Sequence, residues 1–345
     1  MVILTPGFPA NEVDTTCLPF LQTHVRAINK NFPELEIIII AFQYPFIKSV
    51  YKWNNNEVIS FGGKSKAKIH RLLLWVRVWR TLIKLKRGKK IITLFSLWCT
   101  ECALVGSWFG KFHNLKHFTW LCGQDAKMGN KYVKLMRPEG HELIAMSDFL
   151  KREFYKNYAI NPAHVVPIGV DPDEFAPPPA NRDIDVLGAG SLIPLKQYDV
   201  FINVISKLAR KMPAINTMIC GKGPEEDRLK SAIETLGLHK NITLAGEIPH
   251  AEVLQLMQRS KIFLHTSNYE GFGTVCLEAL YAGAHVVSFT KPMDREIPHW
   301  HHLGSKDEMT QKVIELLQDA TIKYGQVCAY SAGDVAVEMM SLFDQ

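Results

Sequence analysis

At 345 residues the chain exceeds the roughly 250–300 at which a single hydrophobic core stops growing, so two domains are expected. Its composition, 47% hydrophobic and 21% charged, is that of a folded globular protein and excludes a long disordered tail. The net charge of +6 is unevenly shared: residues 1–169 hold 24 Lys and Arg against 11 Asp and Glu, or +13, which leaves −7 for residues 170–345. The basic half is the one expected to meet an anionic partner.

The N-terminus, MVILTPGFPANEVD, has no basic segment and too few apolar residues before its Thr-Pro break for a signal peptide, and no run approaches the ~18 apolar residues of a spanning helix. A cytoplasmic location is expected. Seven scattered cysteines agree with that. Cys99 and Cys102 form a C-x-x-C without a second pair or a spaced His, so they read as buried thiols.

Along the chain, short apolar runs alternate with longer amphipathic stretches, the pattern of parallel sheets covered by helices. The strand candidates of the first half are VILT, EIIIIAF, KIITLFSL, HFTWL, ELIAM and HVVPIGV. Residues 171–180, DPDEFAPPPA, cannot pair in a sheet and read as a linker. A second series follows: DVLGAG, TMICG, NITLAG, KIFLHT and HVVSFT. Two doubly wound α/β domains result, residues 1–169 and 170–327, with residues 328–345 expected as a helix that crosses back to complete the first.

In such sheets ligands bind outside the carboxyl ends of the strands. Residues 267–280, SNYEGFGTVCLEAL, occupy that position after KIFLHT, with Glu270 in the loop and Glu278 on the second turn of the following helix. Gly271 and Gly273 allow close backbone approach, and the N–H groups from Phe272 to Thr274 suit a phosphate. Glu278 suits a ribose diol. On spacing alone the same two acids also read as a capping acid and a solvated helix Glu.

The run EGFGTVCLEALYAGAHVVS resembles the E-x7-E signature of retaining family 4 glycosyltransferases, the glycosyl transferases group 1, which have the GT-B fold of two Rossmann-like domains facing a central cleft. VPIGVD and Phe175, GAGSLIPLKQYDVFINVI, and CGKGPEEDRLKSAIETLGLHKNITLAGEIPHAEV resemble further family segments in order and spacing. The resemblance implies that Glu278 binds the donor ribose, Glu270 the donor sugar hydroxyls, and Lys196 the diphosphate. It places Gly271, Phe272, Gly273, Thr274, Ser191 and Gly221 around the nucleotide sugar, and matches Gly7 to the glycine loop of the other domain. Ser191 stands where the family commonly has Arg, and Cys122 where it often has His. Asp125, three residues on, is open to two readings, an acceptor-orienting group or a helix N-cap.

Asp171 with Asp173, and Asp183 with Asp185, imitate a D-x-D metal motif but lie at the linker, and residues 299–302, HWHH, are expected in a loop without the ligands to complete a metal site. No metal or cofactor is expected beyond a UDP-, GDP- or similar donor. Residues 64–90 carry eleven Lys and Arg and no acid. Helical periodicity predicts Ile69, Leu72, Leu73, Val76, Trp79 and Ile83 as their buried stripe, leaving Leu74, Trp75, Val78 and Leu82 with Arg77, Arg80 and Lys84 either for an anionic membrane surface or for a helix buried on two sides with a solvated basic flank. Nucleic acid is not expected, for want of a motif. The sequence thus reads as a retaining, metal-independent glycosyltransferase acting on a glycan or lipid-linked acceptor at the inner membrane face, in bacterial surface polysaccharide synthesis. Two alternatives stay open: a GT-B sugar-nucleotide epimerase or hydrolase, and a catalytically inactive sugar-nucleotide-binding partner protein.

Overall fold

The structure, a computed structural model, describes residues 1–63, 68–88 and 93–344. It divides into two units, Met1–Gly169 with Ala332–Gln345, and Val170–Ser331. Residues 328–331, expected with the terminal helix, lie in the second unit.

The first unit runs β1 (Val2–Gly7), α1 (Pro19–Asn31), β2 (Ile38–Tyr44), β3 (Lys48–Trp53), β4 (Asn56–Phe61), α2 (Lys68–Arg87), β5 (Thr93–Leu97), α3 (Glu101–His113), β6 (Lys116–Leu121), α4 (Lys131–Met136), β7 (Leu143–Ala145), α5 (Asp148–Tyr158) and β8 (His164–Val165). Its sheet has the order β3-β4-β2-β1-β5-β6-β7-β8, parallel except for the β3–β4 pair. Helices cover both faces, so β1 and β2 are apolar on both sides: Val2, Ile3, Leu4 and Ile38 to Ala41 are fully buried. The β3–β4 hairpin was not expected. Asn54 and Asn55, at φ 43° and 66°, form its two-residue turn, the left-handed geometry such hairpins require. Lys48 and Lys52 face solvent along the β3 edge.

Helix α2 lies the other way round from the sequence expectation. Leu74, Val78 and Leu82 pack into the core with β1, β2, β5 and α3, flanked by half-buried Trp75, Trp79 and Ile83. Ile69, Leu72, Leu73 and Val76 are instead 42–67% exposed. The helix carries large apolar residues on its solvent side as well as its core side, and polar anchors help to fix its rotation. Trp75 Nε1 (3.0 Å) and Arg71 Nε (3.2 Å) both donate to Oε2 of buried Glu101 at the start of α3. Residues 64–67 and 89–90 of the expected basic helix, and 90–92 of the strand expected at 90–97, lie outside the described residues.

The second unit runs β9 (Ile184–Ala189), α6 (Tyr198–Ala209), β10 (Thr217–Cys220), α7 (Glu226–Thr235), β11 (Ile242–Gly246), α8 (His250–Arg259), β12 (Ser260–His265), α9 (Thr274–Tyr281), β13 (His285–Ser288), β14 (Trp300–His302) and α10 (Lys306–Gln318). All its strands are parallel, in the order β11-β10-β9-β12-β13-β14. Residues 300–302, expected in a loop, are the edge strand. The stretch expected to be a linker is partly packed: Phe175 meets the Tyr281 ring at 4.7 Å, and Gln258 donates to the Ala176 carbonyl. At its end Arg182 donates to the carbonyls of Ser260 (2.5 Å) and Ala282 (2.6 Å), supplying partners that the C-terminal ends of α8 and α9 lack. After this unit α11 (Ala332–Asp344) packs on α1 of the first, setting Phe343 against Phe95 and Phe118. Among the described residues no helix is long and apolar enough to cross a membrane.

Candidate functional site

In the second sheet the strand order turns between β9 and β12, which pair in register from Ile184 with Ser260. Crossovers leave these two strands in opposite directions, so the loops at their carboxyl ends part and leave a crevice. Both sequence-singled loops open there. After β9 the chain makes a short 3-10 turn, Pro194–Lys196, and the Lys196 carbonyl accepts from Thr266 Oγ1 of the β12 loop at 2.7 Å. Lys196 Nζ then reaches Oε1 of Glu270 at 2.5 Å, both side chains less than one-fifth exposed.

Glu270 has a further neighbour. Nε2 of His265, the last residue of β12 and buried, lies 3.3 Å from the same oxygen. Burial alone raises the carboxyl pKa, but His265 and the Lys196 ammonium outweigh it and hold Glu270 down at about 2. Burial lowers the pKa of His265, against the pull of Glu270. At neutral pH Glu270 is therefore an acceptor of hydrogen bonds and not a proton donor.

Gly273, at φ 91°, is the N-cap of α9 and has no side chain with which to cap the first amides of that helix. Phe272 is 1% exposed and edged by Trp300 and Tyr330, which anchors the turn in the core. Glu278 sits one turn into α9, its side chain 10% exposed, and Oε1 lies 2.9 Å from Nε2 of His250, the first residue of α8. Ser191 is exposed beside Gly190. Gly221 has a packing reason for its lack of a side chain: at φ 142° a Cβ there would stand 2.0 Å from the Gly190 carbonyl oxygen, so the β9 and β10 loops meet backbone to backbone.

In the first unit Gly7 ends β1, where a Cβ would press on Tyr44 Cβ at 3.2 Å. Asp125 is buried, and three backbone amides converge on its carboxylate: Cys99 N (2.8 Å) and Cys122 N (3.4 Å) on Oδ2, Gly123 N (2.7 Å) on Oδ1. It lies within a 3-10 turn that Gly123 caps, so it is not an N-cap, and its oxygens tie the β5 loop to the β6 loop. Cys122 Sγ turns to the Trp120 carbonyl. Glu101, which the sequence reading did not single out, accepts from Gln43, Arg71 and Trp75 while Arg71 also donates to Tyr132 Oη of α4.

His250 and His265 were also missed. Each opens or closes a regular element, and only the fold shows that it faces an acid. The other acids and histidines have structural partners: Asp183 pairs with Arg259, Asp185 with Lys261, and Asp171 caps a turn. The His285 ring stacks on His299 (4.2 Å), its Nδ1 lies 3.1 Å from Nε2 of His301 and its Nε2 3.2 Å from the Lys323 carbonyl, so both its nitrogens are taken up within the protein. Among the described residues no group of three or more His, Cys, Asp or Glu is placed to hold a metal ion.

Residues 171–324 match the family described as glycosyl transferases group 1. The phosphatidylinositol N-acetylglucosaminyltransferase subunit of Homo sapiens is 31% identical over 163 residues, 46% of this chain and 34% of that protein. The match thus spans about a third of the curated relative's length. Among solved structures, sucrose-phosphate synthase of Thermosynechococcus elongatus superposes with a TM-score of 0.73 at 13% identity, covering 100% of this chain and 98% of that one. Anabaena Alr3699/HepE in complex with UDP-glucose superposes with a TM-score of 0.70 at 17% identity over the same shares. The fold is that of the GT-B glycosyltransferases.

Proposed function

We propose that this chain, whose residues 171–324 match the glycosyl transferases group 1, moves a sugar from a nucleoside diphosphate sugar to a glycan or lipid-linked acceptor, with retention at the anomeric carbon and without a metal ion. The observation that carries the reading is the pairing of Lys196 with Glu270 at the β9/β12 crevice, beside the uncapped start of α9. A diphosphate entering there takes Lys196 and the α9 amides as partners, and Lys196 releases a Glu270 oxygen to the sugar hydroxyls. Departure of the diphosphate builds negative charge, which a fixed ammonium and oriented amides stabilise more in the transition state than before it. A carboxyl held at about 2 is a poor proton acceptor. Glu270 therefore suits hydroxyl binding, and the leaving phosphate is left to take the acceptor's proton on the retained face.

The acceptor side rests on the first unit. The exposed apolar residues Ile69, Leu72, Leu73 and Val76 of α2 stand among Arg77, Arg80 and Lys84. The Arg71 to Tyr132 hydrogen bond joins α2 to α4, which exposes Leu135 with Lys131 and Lys134. Apolar side chains ringed by cations suit an anionic bilayer. A membrane-held lipid acceptor at the cytoplasmic face, as in bacterial surface polysaccharide assembly, fits that face. N-acetylglucosaminyl transfer in the relative's name and UDP-glucose in the solved neighbour make nucleotide-activated N-acetylglucosamine and glucose the first donors to try.

The test is a thermal-shift screen of UDP, GDP and their sugars, followed by transfer assays on wild type, Glu270→Ala and Glu278→Ala in the presence of a chelator. A bound donor at a hundredfold excess over Kd adds about 2.7 kcal/mol to stability. Full transfer by both variants overturns the site, and loss of wild-type transfer with chelator overturns metal independence. Donor binding with no transfer to any acceptor supports the inactive partner protein instead.

A further inference from the structure

One close contact at the site has no part in holding the diphosphate or the sugar. His250 opens α8 directly after Pro249, in the loop that follows β11, and its Nε2 stands 2.9 Å from Oε1 of Glu278. A carboxylate only accepts hydrogen bonds, so the ring nitrogen is the donor and carries the hydrogen. His250 and Glu278 come from different helices, and their side chains are only 16% and 10% exposed. The contact is therefore held by the packing of α8 on α9 and is not a surface encounter.

We propose that His250 is a positioning residue for nucleotide recognition: by holding Oε1, it fixes the carboxylate plane of Glu278 so that the remaining lone pairs meet the two hydroxyls of a ribose. This rests on the reading of Glu278 as the ribose-binding acid. A free glutamate side chain has three torsions to order when a ligand arrives, and that ordering opposes binding. A partner already bonded to one oxygen removes most of that cost before the nucleotide enters. The orientation it imposes also makes binding depend on the ribose diol, since a carboxylate aimed at two hydroxyls loses two partners when they are missing. His250 touches no reacting atom in this scheme, so it acts on donor affinity and leaves the chemical step alone.

The experiment uses the full chain as wild type, His250→Ala, His250→Gln, Glu278→Ala and the double variant His250→Ala with Glu278→Ala. Calorimetry measures the ribonucleoside diphosphate that wild type binds most tightly among UDP, GDP, ADP and CDP, and the 2′,3′-dideoxy form of the same nucleotide. His250→Ala is expected to weaken the ribonucleotide by about tenfold, the lower end of what losing an orienting partner costs at metal sites, and to leave the dideoxy form unchanged. His250→Gln keeps an N–H donor and is expected to restore most of the affinity. The double variant is expected to bind no worse than Glu278→Ala alone, because the two residues act as one unit. In transfer assays the donor KM rises in His250→Ala while kcat holds.

Equal weakening of the ribo and dideoxy forms by His250→Ala overturns the proposal in favour of a purely structural contact, and unchanged binding of both overturns it outright. If Glu278→Ala binds the ribonucleotide as wild type does, or wild type binds none of the four, the donor-site reading itself falls. Loss in Glu278→Ala with none in His250→Ala removes only the role of His250.

Discussion

The two α/β units use the carboxyl ends of their strands in opposite ways. In the second, Lys196 and His265 meet Glu270, and His250 meets Glu278, through side chains brought in by a 3-10 turn, β12, the loop after it, α8 and α9. In the first, Asp125 is closed off by three backbone amides, and Glu101 by Gln43, Arg71 and Trp75. Side-chain pairs at the mouth of a crevice can exchange partners when a ligand brings better ones, whereas a carboxylate clamped by backbone amides, or buried under three side chains as Glu101 is, can leave only by opening the loops or helices around it. The second unit therefore keeps its charges available, and the first spends its buried acids on holding loops and helices in place.

Substitutions that separate stability from binding sharpen this contrast. The largest effect is expected in the α2 core, where Leu82→Ala should lower unfolding stability by about 2–5 kcal/mol in a denaturant titration. Asp125→Ala should follow at about 3 kcal/mol, because it strands buried amide donors. A stable Asp125→Ala protein that has lost transfer would break the comparison, since it would make Asp125 an acceptor-binding group. Glu270→Ala, by contrast, should abolish transfer with little change in melting temperature.

Acidification bears on both units. Burial lowers the pKa of His24 to about 4 and of His117 to about 3 in the first unit, and of His301 to about 4 in the second. Unfolded histidine binds its proton near 6.5, so below that pH the unfolded state binds more protons and stability falls as pH falls, until the folded-state values are reached. Each such histidine is expected to contribute a slope of about 1.4 kcal/mol per pH unit in that window. His24→Leu, which removes a titrating ring whose Nε2 has no partner, should flatten the pH dependence. An unchanged slope would show that His24 is not held neutral. The smallest stability effect belongs to the exposed face of α2: Leu72→Ser with Leu73→Ser should cost under about 0.5 kcal/mol each. The same pair should reduce binding to phosphatidylglycerol vesicles while leaving phosphatidylcholine vesicles unbound, and undiminished binding would remove the membrane role from this helix.

Much of the second unit was legible because its information is local. Gly271 and Gly273 announce a loop between an apolar run and a helix, and the E-x7-E spacing sets both acids near one helix start. Other signals were local but weaker. The β3–β4 hairpin is written in alternating residues around Asn54 and Asn55, though it lacks the long apolar runs that mark buried strands. The edge strand of residues 300–302 is too short and too rich in histidine to register as one.

By itself the sequence determined two doubly wound units, the segment that turns at the β12 end, and the residue types gathered there, because periodicity and glycine placement act within a few residues. Only the tertiary structure decided which stripe of α2 is buried, that Asp125 is held by the backbone, and that each acid of SNYEGFGTVCLEAL has a histidine beside it. Those outcomes depend on polar groups far apart in the chain finding partners where water is excluded, and an unpaired group there costs more than any local preference can offset.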